Sequence, residues 1–305
     1  MAESHAAVLT CLGDADMFKV LPDAEALLRD EGVRFGAWRT LASHPINAIE
    51  YTLTSSHPID WRLATKRLRT LQGEFGVDLA VLPNDATWRS KKLLVMDMDS
   101  TLVQSEGIDE LAKEAGVGDR VAAITRRAMN GELDFSAALR ERVGLLRGLP
   151  IAALDRVADR TRLTPGAEVL IRVLRASECA VAVVSGGFEY FADRVRAKVP
   201  LDYAYANRLE IEEGRLTGRL LGDIVHAARK AELVGELARK EGISLERVLA
   251  IGDGANDLPM LERAGLGVAY HAKPAVRAVA PVTVGVGDLS AVLFFLGYTE
   301  SDLAA

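Results

Sequence analysis

Two acids, Asp97 and Asp99, close the run "LLVMDMDST" (residues 93–101), one methionine apart and followed by two hydroxyls. The preceding Leu-Leu-Val-Met has the character of a buried strand, where carboxylates are costly and repel each other strongly. A cation between them would offset both penalties. A second pair, Asp253 and Asp257, stands in "GDGANDLPML" after another apolar run. Four carboxylates offer oxygen ligands and excess negative charge. That set suits Mg²⁺, which keeps several waters and takes its other ligands from carboxylates and a substrate phosphate. A carboxylate is also a nucleophile toward phosphorus. An acid two residues on is placed to give a proton to the leaving group and then take one from water.

Phosphate needs further partners. "SGGF", Ser185 to Phe188, offers a hydroxyl and pliable backbone N–H groups at the start of an expected helix. Lys230 in "AARKAEL" adds a compact positive charge. Singly, each piece has an ordinary reading: a strand-end turn, a tight turn, a solvated helix lysine, a helix cap. Their order and joint placement are harder to reach by accident.

The elements that position them follow from the apolar pattern. "LLVMDMD", "VAVVSGG" and "VLAIGDG" are short runs ending in glycine or acid and separated by helical segments, as in a parallel sheet covered on both faces. Open parallel sheets bind ligands at the carboxyl ends of their strands, so the three clusters are expected to meet there. Between the first two runs, "IDELAKEAG" and "FSAALRERVGLL" carry helical apolar faces, and residues 104 to about 165 form an expected inserted cap. "LEIEEGRLTGRLL" reads as a hairpin turning at Glu213-Gly214. Ahead of residue 88, "AAVLTCL", "AIEYTLT" and "VDLAVL" read as strands, and "AEALLRDEGV" and "WRLATKRLRTLQGEFG" as helices. "PNDATWRSKK" then reads as a linker. The division is a small α+β domain over 1–88 and an α/β domain over 89–305.

Bulk properties exclude some functions. The 305 residues are 49% hydrophobic and 26% charged, a globular balance, with a net charge of −6 that gives no general attraction to nucleic acid or anionic membrane. No stretch approaches the ~18 consecutive apolar residues of a membrane span. The opening "MAESHAAVLTCLGDAD" has no signal-peptide pattern. Cys11 and Cys179 lie far apart, which fits a reducing cytoplasm better than a disulfide framework.

On "DMDST", "SGG", the lysine and "GDGAND", in that order, the chain resembles the haloacid dehalogenase superfamily of phosphotransferases. The closer resemblance, over roughly residues 90 to 295, is to the branch acting on O-phospho-L-serine. It implies a Rossmann-like core with a helical cap, Mg²⁺ dependence, an aspartyl-phosphate intermediate and the last step of serine synthesis. Asp97 is then the nucleophile and Asp99 the general acid/base. Asp97, the backbone carbonyl of Asp99, and Asp253 would hold the metal, with Asp257 supporting it. Ser185, Gly186 and Lys230 would take the phosphate, with Asn256 close by. In the cap, Glu106 would meet the substrate ammonium and Arg142 its carboxylate, while Met129 and Phe135 would cover the site. A related phosphatase or phosphotransferase with another phosphomonoester keeps the same motifs, and a non-enzymatic amino-acid-binding scaffold is a third class that the intact acids disfavour. "GDGxND" also occurs in P-type ion pumps, which the missing membrane span excludes. Residues 1–88 are similar to an ACT-type regulatory domain. "LGDADMFKV" lacks the proline-glycine turn expected where such domains bind amino acids, so homodimer contact and serine feedback stand as alternatives.

Overall fold

The computed structural model describes residues 5–129 and 132–304. The first strands, β1 (His5–Gly13), β2 (Arg34–Ala42), β3 (Asn47–Ser55) and β4 (Asp78–Pro83), form an antiparallel sheet of order β2-β3-β1-β4. Along β1, Ala7, Leu9 and Cys11 meet Leu28, Leu68 and Leu71 from the helical side, whereas Val8 and Leu12 belong to a core shared with Leu289 and Phe295. Cover on both faces explains why β1 carries apolar residues on both of its faces, with Thr10 the buried polar exception.

Two local expectations change. The helix expected over residues 61–76 is two, Trp61–Arg67 and Arg69–Phe75. At the junction, the Leu68 N–H is shared between the Ala64 and Thr65 carbonyls at 3.4 and 3.2 Å, and its side chain is buried. The expected linker is instead a packed joint. Asp85 caps a short helix, Ala86–Arg89, and buries Trp88 edge-on to Trp61 at 4.8 Å. Lys91 lies 3.8 Å over the Trp88 ring and donates to the Glu246 carbonyl at 2.6 Å. An aromatic pair and a cation–π contact outweigh the turn-rich composition.

The second sheet holds β5 (Leu93–Met96), β6 (Ala180–Phe188), β7 (Tyr203–Glu212), β8 (Arg215–Leu221), β9 (Val248–Gly252), β10 (Leu266–Tyr270) and β11 (Val282–Val284). Its order is β11-β10-β9-β5-β6-β7-β8, parallel except for the β7–β8 hairpin. From β5 the chain lays β6 and β7 on one side, then crosses to β9 on the other, so the strand order reverses at β5. That is where such sheets bind ligands. Five described helices lie in the connection from β5 to β6: Gly107–Glu114, Gly118–Met129, Phe135–Gly144 and Ile151–Arg160 make up an excursion, and Ala167–Ala176 follows it. Entry and exit of this excursion are stitched by Gln104 N–H to Arg162 O at 3.1 Å and Thr164 N–H to Leu102 O at 2.9 Å. The hairpin turns at Glu213 and Gly214 with φ of 51° and 72°, the left-handed pair that a two-residue turn requires. Among the described residues no helix is long and apolar enough to cross a membrane.

Candidate active site

The clusters after β5, β6 and β9 meet because these strands are neighbours in one parallel ladder. Asp97 is held at the end of β5 by its own N–H, which donates to Ile251 O on β9 at 2.9 Å. Its Oδ1 accepts the Met98 N–H at 2.7 Å, and its Oδ2 lies 2.8 Å from Lys230 Nζ. Lys230, on the helix Ala227–Lys240, also reaches Asp257 Oδ1 at 2.7 Å. All three side chains are buried. Asp257 Oδ2 accepts the Asp253 and Gly254 N–H groups at 3.2 and 2.9 Å, which folds the "GDGAND" turn around that carboxylate. Asp253 Oδ1 accepts the Thr101 hydroxyl at 2.9 Å, joining the ends of β5 and β9.

Electrostatics follow from this crowding. Burial, then the Asp257 charge, holds the Asp97 carboxyl well above the usual range. Burial and then Glu106 push Asp99 up to about 7. Burial and then Asp257 push Asp253 up to about 6. Burial alone would pull the Lys230 ammonium down, but Asp257 and Asp97 outweigh it and hold it above the ordinary lysine value. Carboxylates raised together in one cluster are an unmet demand for positive charge. Asp97, Asp253 and Asp257 each bring one oxygen to within 4.8 Å of the others. This oxygen-only cluster could hold a hard divalent cation. Asp257 already receives three donors, so it is the least available ligand of the three.

Asp99 faces a cavity of about 520 Å³ between the sheet and the cap helices. Its Oδ1 accepts the Gly107 N–H at 2.8 Å, and the Ser185 hydroxyl lies 3.4 Å from its Oδ2, a long contact. Gly187 N–H donates to Ser185 Oγ at 2.8 Å. A Cβ on Gly187 would collide with the Asp99 carboxylate and displace it, so glycine keeps that acid in place. Glu106 and Arg142 line the same cavity, with Phe135 and Asn256. The Ser100 hydroxyl holds Glu106 Oε1 at 2.7 Å. Among the described residues Arg142 bonds only its own helix, Nε to Ala138 O at 3.3 Å, and burial draws its pKa down. Among the described residues no carboxylate pairs with it.

Of the sequence-expected residues, Asp97, Asp99, Asp253, Glu106, Phe135, Arg142, Ser185, Gly186 and Asn256 all line this cavity. Lys230 and Asp257 lie beneath its floor, reaching it through Asp97 and the Asp253 turn. Met129 ends the helix Gly118–Met129, and its side chain lies outside the described residues. Three supporting residues escaped the sequence reading: Ser100, Thr101 and Asn207. The first two are the hydroxyls of "DMDST", visible beside the acids. Asn207 had only one signal, a polar amide inside the strand-like "YAYANRLEI".

A model of the haloacid dehalogenase-like hydrolase family matches residues 94–262. A phosphoserine phosphatase of Streptomyces coelicolor is 43% identical over 300 residues, 98% of this chain and 72% of that one. One from Archaeoglobus fulgidus is 54% identical over 224 residues, 73% of this chain, and the match spans 65% of that relative's length. Among solved structures, a HAD family hydrolase from Salmonella enterica superposes with a TM-score of 0.81 at 33% identity, covering 95% of this chain and 98% of that one. A phospho-aspartyl intermediate analogue of phosphoserine phosphatase superposes at 0.64 with 44% identity, covering 68% and 99%.

Proposed function

The chain belongs to the haloacid dehalogenase-like hydrolases, and from that premise we propose that it hydrolyses O-phospho-L-serine to L-serine and phosphate. One observation carries the choice of substrate. Arg142, a guanidinium without a carboxylate partner among the described residues, shares a cavity with Glu106 and the Asp97–Asp99 pair. A ligand with a phosphate, an ammonium and a carboxylate on a short frame matches those three groups. The S. coelicolor and A. fulgidus relatives carry that activity in their names.

In the proposed reaction an Asp97 carboxylate oxygen attacks phosphorus while the bond from phosphorus to the serine oxygen breaks. Asp99 gives its proton to that oxygen, and a pKa near 7 keeps a protonated fraction at neutral pH. Water then attacks the phosphorus of the aspartyl-phosphate. Asp99 takes the water's proton, and Asp97 leaves as a carboxylate. Ser185, Gly186 and Lys230 bind the phosphoryl group, Asn256 borders it, and Phe135 excludes water. Asp97, the Asp99 carbonyl and Asp253 would hold Mg²⁺, with Asp257 in support. When bound, the ion offsets charge on the aspartates and on the phosphoryl oxygens.

The reading extends to the first 88 residues as an ACT-like unit, with 89–305 as the phosphatase unit and the cap near 104–165. β2 ends its sheet with one edge unpaired among the described strands, which suits a second copy of this chain. Serine feedback is the alternative use of that unit. Buried free thiols at Cys11 and Cys179 suit a reducing cytoplasm. The deciding experiment is phosphate release from a panel of phosphomonoesters with and without Mg²⁺. Phosphoserine should lead the panel, and release should need the metal. Preference for an ester lacking the amino-acid group would replace this reading with a generic phosphatase.

A further inference from the structure

We propose that Asn207, on β7, is a positioning residue that locks the Gly186–Gly187 peptide so that the Ser185 hydroxyl presents its proton to the phosphoryl group. The proposal rests on the phosphatase reading and adds to it a side chain outside the cavity lining.

A lock is needed because the anion loop is made of residues that cannot hold themselves. Gly187 has no room for a Cβ beside Asp99, and a Cβ on Gly186 would lie 3.0 Å from the Phe135 ring. Close packing therefore favours two adjacent glycines here, and glycine is the residue with the most conformational freedom to lose. Sheet pairing does not restrain them either, since the β6–β7 register breaks between Val184 and Phe188. The ladder resumes at Phe188 opposite Asn207, whose side chain spans the gap. Its Nδ2 donates to the Gly186 carbonyl at 2.8 Å.

That bond acts at a distance through covalent geometry. In a trans peptide the carbonyl and the following N–H point in opposite directions. Fixing Gly186 O therefore aims the Gly187 N–H, which donates to Ser185 Oγ at 2.8 Å. With an oxygen lone pair so engaged, the Ser185 proton is left for another acceptor. Asp99 Oδ2 lies 3.4 Å away, and an incoming phosphoryl oxygen could take its place. The amide itself is oriented, because its Oδ1 accepts the Val225 N–H at 2.9 Å, a contact that an NH₂ group could not make. Val225 lies just before the helix that carries Lys230. One buried amide thus joins the phosphate loop to the approach of the lysine helix, which accounts for an asparagine that is 2% exposed within a strand.

The test is a double-mutant cycle read by calorimetric titration with inorganic phosphate in the presence of Mg²⁺, alongside phosphate release. Asn207→Ala and Ser185→Ala should each weaken phosphate binding about 10- to 100-fold. The double variant should bind no more weakly than Ser185→Ala alone, because Asn207 acts through that hydroxyl. Release from phosphoserine and from an ester lacking the carboxylate should fall by one common factor. If Asn207→Ala fails to fold, Asn207→Asp decides when titrated at about pH 8–9, where a carboxyl raised by burial is ionised: it keeps an acceptor for Val225, offers no donor to Gly186, and should show the same loss. Additive losses in the double variant, or wild-type phosphate binding in a folded Asn207 variant, would overturn the proposal. A wild type that neither binds phosphate nor releases it from any ester would overturn the phosphatase reading, and this proposal with it.

Discussion

In the seven-stranded sheet, Asp97, Lys230 and Asp257 are buried in contact with one another at the strand ends. The four-stranded sheet packs its helices through a core of aliphatic side chains, methionine and cysteine. Its own buried charges lie elsewhere, where it meets the larger unit. Glu50 accepts from Arg39 and Arg89 at 2.9 Å each, and Arg39 reaches on to the Gly297 carbonyl at 3.2 Å. Asp78 accepts the Gly285 and Val286 N–H groups at 2.8 Å each. Buried charge in the first region therefore gathers two carboxylates around one ammonium, and in the second single carboxylates hold guanidinium or backbone N–H groups along a seam. Charge buried for reaction is left out of balance. At the seam Glu50 is matched by two guanidinium groups, while Asp78 is met by backbone donors on one oxygen alone.

The contrast is sharpest if Asp97 is neutralised. Asp97→Asn should cut turnover by at least about 10³-fold, since an amide is a poor nucleophile toward phosphorus. The same change removes one of two carboxylates competing for Lys230, so the variant should melt at or above the wild-type temperature. Steady-state phosphate release and a thermal melt check both halves. Turnover near wild type, with deamidation excluded by mass spectrometry, would remove Asp97 from its assigned role.

Lys230→Met probes the same cluster from its positive side. The ammonium is fully buried, and removing it leaves Asp97 and Asp257 facing each other without their shared partner. Breaking a buried ion pair from one side typically costs about 3–5 kcal/mol. Urea unfolding should therefore show a loss of that order, opposite in sign to the Asp97→Asn effect. Equal stability in the two variants would mean the cluster is not charge-frustrated.

Arg142→Ala should act on substrate choice more than on folding. Among the described residues no carboxylate is bonded to its guanidinium, so loss of the side chain breaks no ion pair there. Phosphoserine should lose about 2–5 kcal/mol of transition-state stabilisation, and an ester without a carboxylate much less. Arg142→Lys should recover only part, because a point charge cannot offer arginine's two parallel donors. Equal losses in kcat/KM on both esters would assign Arg142 to the structure of the cap.

The sequence made the reactive side of this comparison legible and left most of the seam hidden. Asp97, Ser185 and Asp253 stand at the ends of apolar runs, and strand-end position in a parallel sheet brings such residues together whatever their sequence separation. The hairpin at Glu213-Gly214 was equally readable, because its two left-handed residues carry a local signature. Asp78 and Glu50 have no such signature. Each looks like a polar residue at its place in a strand, and only the docking of one sheet on the other buries it. Trp88 and Lys91 sat in a stretch whose proline, asparagine and aspartate suggested a linker, and the aromatic contact that overrides that signal comes from Trp61, 27 positions earlier. Asn207 was hidden for the same reason, since both its partners are backbone groups brought near by the sheet.

The smallest expected effect tests the structural side. Asp78 is fully buried at the start of β4, and both its backbone donors converge on Oδ2 while Oδ1 has no hydrogen-bond partner among the described residues. Burial raises its pKa from the model-compound 3.8 to about 6, against the pull of the Gly285 and Val286 N–H groups and the charges of Arg277 and His271. The sign follows from proton binding. Between roughly pH 4 and 6 the folded chain holds this proton and the unfolded chain has lost it, so the group's contribution to stability falls as pH rises through that window. Across it the contribution changes by on the order of 1–3 kcal/mol. Asp78→Asn cannot titrate, yet keeps one oxygen for the Gly285 and Val286 donors. The variant should therefore gain on the wild type between pH 4 and 7, read as urea midpoints at the two pH values, with phosphate release at neutral pH unchanged. Parallel pH curves would show that the Asp78 carboxyl titrates alike in the folded and unfolded chains. A fall in activity without a change in stability would mean that the seam reports to the active site, and the division between charge for reaction and charge for structure would fail at Asp78.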